Sequence, residues 1–169
     1  MDLATLALRH ALIDSFNRYA EGLDSKQWDM VRRCFSDRVR LEYGPLSEEQ
    51  ASADGNWAAD DWIAALQSVI NGFDITRHTI TNHRFDFREG RVNCRAYLSA
   101  DHVIFPQEGL PGPENIWTFV GEYSNHYERS AEGDWTICRS ALVTHWTSGN
   151  ADLYAVAQER AAAQANSKP

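Results

Sequence analysis

The sequence predicts an α+β fold: a cone-shaped barrel of a curved, mainly antiparallel sheet, with three N-terminal helices enclosing an apolar pocket. Three observations carry this expectation. Apolar residues recur at helical spacing through the first 70 residues. One short alternating run, Val39–Tyr43, interrupts them. Beyond Gly72 the pattern changes to long runs at strand spacing, separated by turn residues. Helices covering one face of such a sheet leave a conical cavity, and polar side chains that point into it are the candidates for function.

Leu12, Phe16, Tyr19 and Leu23 form one helical stripe. Asp24-Ser25-Lys26-Gln27 then resembles a capping box, with Asp24 as cap and Gln27 three residues on. Trp28, Val31 and Phe35 give the second helix its buried face, and Val39–Tyr43 reads as a strand. Residues 44–56 read as a loop, and a third helix runs from about Ala58 to Ile70 with Trp62, Leu66 and Ile70 on one side. Strands follow near His78–Phe87, Arg91–Phe105, Asn115–Arg129 and Trp135–Ser148. Glu89-Gly90 and Glu132-Gly133-Asp134 are the turns, and Pro106–Pro113 is a loop that breaks the sheet. Asn150 caps a last, Ala-rich helix. The whole chain, 1–169, reads as a single domain, with 150–169 as a C-terminal helix and tail.

Composition narrows the function classes. A formal charge of −8 argues against nucleic acid or an anionic membrane surface as partner. No apolar run approaches the roughly 20 residues of a membrane helix. The three cysteines, Cys34, Cys94 and Cys138, are widely spaced and form no CxxC, which points to a reducing, cytoplasmic setting. Six histidines lack the convergent spacing of metal ligands, and His78 and His83 would face opposite ways on an unbulged strand, so no metal is expected.

Several polar residues stand out. Asp24 either caps the second helix, or Ser25 closes the junction and Asp24 turns inward. His78 opens a strand after Thr76-Arg77. Tyr43 ends one, with its hydroxyl at the rim. Asp101-His102 lies deep within a long strand, where a buried Asp or His needs a partner. Trp117, Phe119, Tyr123 and Tyr127 share one strand face, which is pocket or subunit interface. Glu122 and Ser124 lie on the opposite face.

The run Asp24–Arg33 continuing to Arg40–Tyr43, the Thr76-Arg77-His78 triplet, and the stretch from His126 through Glu132–Trp135 to Trp146 resemble the scytalone dehydratases. More broadly the chain is similar to the SnoaL-like, nuclear-transport-factor-2-like superfamily, which also holds ketosteroid isomerases, polyketide cyclases and a bile-acid dehydratase. The resemblance implies the α+β cone, a dimer or trimer, and chemistry without a cofactor. Asp24 and His78, 54 residues apart, fall at the family's Asp–His dyad. Tyr43 falls at a tyrosine that helps hold a water on the substrate carbonyl. Leu23 replaces a tyrosine. Glu122 and Ser124 stand where the family enzyme has a Ser and an Asn in its pocket. The second pocket histidine aligns with Asp101 or His102. Tyr19, Asp24, His78 and Asp101 also resemble the catalytic quartet of the bile-acid dehydratase.

The implied activity is a cofactor-independent dehydratase-like lyase acting on a small cyclic or polycyclic hydroxy-carbonyl compound. Asp24, His78, Tyr43, Tyr19 and Asp101 or His102 would do the chemistry, with Leu23, Trp117, Glu122, Ser124 and Trp146 lining the substrate. An isomerase of the ketosteroid type or a polyketide cyclase uses the same base. A non-catalytic ligand-binding or assembly module is the alternative of another class.

Overall fold

A computed structural model describes residues 2–43, 55–88 and 91–167. Most of the expected 44–56 loop and the Glu89-Gly90 turn lie outside the described residues. Helix α1 spans Leu3–Asp24, capped by the Asp2 carboxylate on the Thr5 N–H at 2.7 Å. It buries the predicted stripe of Leu12, Phe16, Tyr19 and Leu23. Helix α2 is only Trp28–Arg32, and strand β1, Phe35–Glu42, begins where the sequence suggested helix. Phe35 is therefore a strand residue, buried by its edge-on contact with Tyr19. A short strand β2, Asn56–Ala58, precedes helix α3, Ala59–Ile70. Four strands follow: β3 Ile75–Asp86, β4 Val92–Val103, β5 Ile116–Arg129 and β6 Trp135–Gly149. Helix α4, Leu153–Asn166, ends the described chain.

The six strands make one curved sheet in the order β2-β1-β6-β5-β4-β3. All pairs are antiparallel except β1 with β6. The sheet does not close on itself: β2 and β3 are its edges, and the helices complete the cone. The main core joins α1, α2 and α3 to the concave face through Leu12, Phe16, Val31 and Trp62, all fully buried. A second cluster, Val69, Phe73, Ile104, Leu153 and Ala157, seats α4.

Two local features bear on the site. Gly72 touches α4 so closely that a Cβ there would lie 1.8 Å from the Ala157 carbonyl oxygen, so no larger residue fits while α4 is docked. Asp152, not Asn150, is the N-cap residue of α4, and the Asn150 Oδ1 accepts the Asp152 N–H at 3.1 Å. Its Nδ2 donates to the carbonyls of Pro111 and Glu114, tying the 106–113 loop to the start of α4.

Candidate active site

Asp24 is the last residue of α1, not the cap of α2. Ser25 closes the end of α1, its Oγ donating to the Glu21 carbonyl at 2.6 Å, and α2 starts after Gln27 without a side-chain cap. Asp24 turns toward β3, where Thr76 and His78 share the face that meets α1 because side chains two apart in a strand point the same way. Its Oδ1 takes the His78 ring Nδ1 at 2.7 Å and the Thr76 hydroxyl at 3.0 Å; its Oδ2 takes the His78 backbone N–H at 2.9 Å. The His78 side chain is 5% exposed and that of Asp24 16%.

Three donors converge on one carboxylate. Burial disfavours its charge, but the bonds from the His78 ring and backbone, the His78 charge and the Thr76 bond outweigh that and hold its pKa below the ordinary value. An ionised Asp24 accepts from Nδ1–H, which selects the tautomer whose Nε2 lone pair is available as a base. Asp24 also borders an outer groove with Asn17, Glu21 and Arg77, so the dyad forms part of the wall between that groove and the cone.

The cone holds a cavity of about 220 Å³. His78 lines it, as do Leu23, Tyr19, Tyr43, His102 and Trp117 among the residues expected from sequence. At one end, Tyr19, Tyr43 and Tyr123 cluster, with ring centroids 6.0 Å apart for Tyr19–Tyr123 and 6.2 Å for Tyr43–Tyr123. Burial pushes the Tyr43 phenol up to about 12 and raises those of Tyr19 and Tyr123, so all three stay protonated. At the other end the His78 and His102 rings meet edge to face at 5.6 Å, and His102 packs on Phe73 and Trp117. Burial, with the His78 charge nearby, brings the His102 pKa down to about 4, so its ring is neutral near pH 7. The buried Nε1 of Trp62, Nδ1 of His102 and Nε1 of Trp117 have no hydrogen-bond partner among the described residues. Their residues line the cavity, where a polar ligand atom would satisfy them.

Four expected residues lie elsewhere. Asp101 sits opposite Arg77 and Thr118 and accepts the Thr118 hydroxyl at 2.7 Å on the convex face. The register gives the cavity to His102, opposite Thr76 and Trp117. Glu122 and Ser124 also point to the convex face; Glu122 pairs with Arg95 at 3.1 Å. Trp146 is on that face too and 54% exposed, since β6 shifts register between its pairings at Thr144 and Trp146. None of these four lines the cavity. On β5 the residues that do are Trp117, Phe119 and Tyr123. Tyr123 and Trp62 were not singled out as site residues. Their signals were present: Tyr123 stands on the aromatic face of β5, and Trp62 on the stripe of α3.

The β3 shift near Asn82, whose φ is +56°, breaks simple alternation and brings His83 against Phe16 at 5.3 Å between centroids. Among the described residues, no group of three His, Cys, Asp or Glu side chains is placed to hold a metal. No helix among them is long and apolar enough to cross a membrane.

Known proteins share this arrangement of elements. The SnoaL-like domain family matches residues 4–141. The chain is similar to protein Kfla4162 of Kribbella flavida, at 27% identity and TM-score 0.76 over 89% of this chain and 99% of that one. It is similar in fold to a scytalone dehydratase-like protein of Novosphingobium aromaticivorans DSM 12444, with 21% identity, TM-score 0.68 and coverage of 86% and 89%. The hexachlorocyclohexane dehydrochlorinase LinA-type3 of Novosphingobium barchaimii LL02 is similar in fold at 19% identity, TM-score 0.70 and coverage of 89% and 95%. No curated protein matches the chain.

Proposed function

We propose, from the premise that this chain belongs to the SnoaL-like domain family, that it is a cofactor-independent lyase acting on a small cyclic hydroxy-carbonyl compound. The observation that carries this reading is the 2.7 Å bond between Asp24 Oδ1 and His78 Nδ1 in the wall of an apolar cavity.

The substrate ring fills the cone against Leu23, Leu66 and Phe119. Its carbonyl oxygen lies at the tyrosine end, where neutral hydroxyls meet the charge that grows as the adjacent C–H proton leaves. His78 takes that proton on Nε2. Asp24 holds the ring and stabilises the imidazolium, as a buried carboxylate does in acyl-transfer triads. His78 then returns the proton to a hydroxyl on the β-carbon. The C–O bond breaks, the electron pair left by the C–H proton becomes the new C=C bond, and water departs. His102, neutral and beside His78, places the departing oxygen. Positioned proton transfer supplies a factor of about 10²–10⁴, and orientation in the closed cavity adds to it.

The same base serves isomerisation when the substrate lacks a β-hydroxyl. A binding module without catalysis would leave the dyad without a task, although a buried ion pair is costly to keep. Turnover of a panel of cyclic β-hydroxyketones, followed by mass spectrometry, tests the proposal. Loss of 18 mass units (~18 Da for water, the leaving group set by the proton balance above) is expected with wild type and not with His78→Ala. Binding without any change of mass in the wild type would favour the module.

A further inference from the structure

The tyrosine end of the cavity is backed by a buried polar chain that no local sequence signal announces. Tyr43 Oη meets Ser140 Oγ at 2.9 Å, Ser140 Oγ donates to Asn125 Oδ1 at 2.7 Å, and Asn125 Nδ2 donates to Tyr127 Oη at 3.4 Å. Asn125 and Ser140 are 2% and 1% exposed. They stand directly opposite each other on β5 and β6, on the concave face.

The hydrogens on this chain can be counted. An amide oxygen only accepts, and a hydroxyl has one hydrogen. Ser140 spends its hydrogen on Asn125, so in the bond with Tyr43 it must accept. Tyr43 therefore spends its only hydrogen on Ser140, away from the ligand. Its remaining capacity is to accept, and the Tyr19 hydroxyl interacts with it there. Tyr19 in turn interacts with Tyr123. With the Tyr19 hydrogen turned toward its neighbouring hydroxyls, the hydrogen left for a ligand is that of Tyr123, which lines the cavity.

We propose that Tyr123 is a catalytic hydroxyl, donating to the substrate carbonyl oxygen, and that Tyr19, Tyr43, Ser140 and Asn125 are positioning residues. This rests on the reading of the cavity as a site for carbonyl compounds. Tyr43 accepts from Tyr19 and holds it against Tyr123, while the amide at the far end fixes the direction of the bonds along the chain. The arrangement resists reversal because turning Tyr43 toward the ligand would leave the buried Ser140 short of a donor.

Substituted 2-naphthols of graded acidity test this without turnover, since their oxygen mimics the enolate formed when the proton leaves. Binding is read by fluorescence, and the fraction bound as naphtholate by absorbance. Tyr123→Phe is expected to weaken binding of the most acidic naphthol by at least ~10-fold and to abolish the naphtholate band, one lost donor to a developing oxyanion costing about 10²–10³ in rate. Tyr43→Phe is expected to change affinity by less than ~3-fold, the cost of losing a positioning contact being small beside a donor. Ser140→Ala releases the Tyr43 hydrogen, so in that background Tyr43→Phe should become as damaging as Tyr123→Phe. Far-UV circular dichroism and thermal unfolding establish that each variant is folded.

The proposal is overturned if Tyr43→Phe is the more damaging of the two in the otherwise unaltered protein, if Ser140→Ala does not change the Tyr43→Phe effect, or if no naphthol binds. Failure of the elimination reaction itself would show as absent turnover with the naphthol hierarchy intact, so the two readings fail separately.

Discussion

Replacing Asp24 by Asn changes one atom in shape and three hydrogen bonds in kind. The carboxylate accepts at both oxygens: Thr76 and the His78 ring at Oδ1, the His78 backbone at Oδ2. An amide has one oxygen. The backbone N–H cannot turn away, so the oxygen goes to the Oδ2 position and the NH₂ faces His78 Nδ1. That nitrogen must then accept, the ring proton moves to Nε2, and the lone pair that would take the substrate proton disappears. The corresponding swap in a Ser-His-Asp triad costs about 10⁴-fold in kcat, equivalent to about 5.5 kcal/mol of barrier. The stability cost is smaller. Three charge-assisted bonds become neutral or are lost, and with the site partly open to the outer groove this amounts to about 1–3 kcal/mol. For a chain of this size each kcal/mol lowers Tm by about 2–4 °C. The assay is kcat on a cyclic β-hydroxyketone at 25 °C, set beside Tm by calorimetry. A folded D24N protein that keeps more than about a tenth of wild-type kcat, against the ~10⁴ expected, would refute the tautomer argument.

Other outcomes follow from the same contacts. His102, with its pKa brought down to about 4 by burial, should titrate in a ¹H–¹³C NMR series with a midpoint near that value; a midpoint near 6.5 would contradict its placement beside Trp117. The folded His102 binds its proton less readily than the unfolded one, so its contribution to stability is full above about pH 6.5 and is lost as the pH falls toward 4. Asp24 and Asp74 add to this further down. Asp74 is held low first by its bond to Arg160, and both lose their contribution as the pH falls through their depressed values. Chemical denaturation at pH 7, 5 and 4 should therefore show monotonic loss; a maximum at pH 4 would contradict it. Gly72→Ala places a methyl against the Ala157 carbonyl, and overpacking of this kind costs about 1–3 kcal/mol. Faster hydrogen exchange confined to α4 and the Phe73 cluster is the expected signature, and unchanged exchange there would show that α4 does not depend on the close approach.

How much of this was legible depends on the residue. Periodicity located α1, α3 and the long strands, because each buries one face and writes it at its own spacing. It misread Phe35, since one apolar residue after a short helix fits either period. Asp24 was ambiguous: the capping pattern Asp24…Gln27 is present, but Ser25 satisfies the α1 end locally and frees the carboxylate for a contact 54 residues away. The choice between the two faces of a strand was the main loss. On β5, Trp117, Phe119 and Tyr123 alternate with Thr118, Val120 and Glu122; the aromatic set marks a covered face, but nothing local says whether cavity or subunit interface covers it. The resemblance pointed to Glu122 and Ser124, one residue out of step with the cavity residue Tyr123 and with Asn125. A one-residue change of register inverts every side chain. Trp146 was lost in the same way, to the register shift in β6. The Asn125–Ser140 pair is a cross-strand contact, invisible until the strands are paired.

The central claim is that His78 removes a proton from carbon next to a carbonyl inside the cone. Deuterium exchange at that carbon asks for nothing more: a cyclic ketone without a leaving group, incubated with the protein in D₂O and followed by ¹H NMR. Wild-type protein should wash the α-protons out of a bound ketone, and His78→Ala should not. Exchange that survives His78→Ala, or a ketone that binds in the cavity and keeps its protons in the presence of wild type, would contradict it.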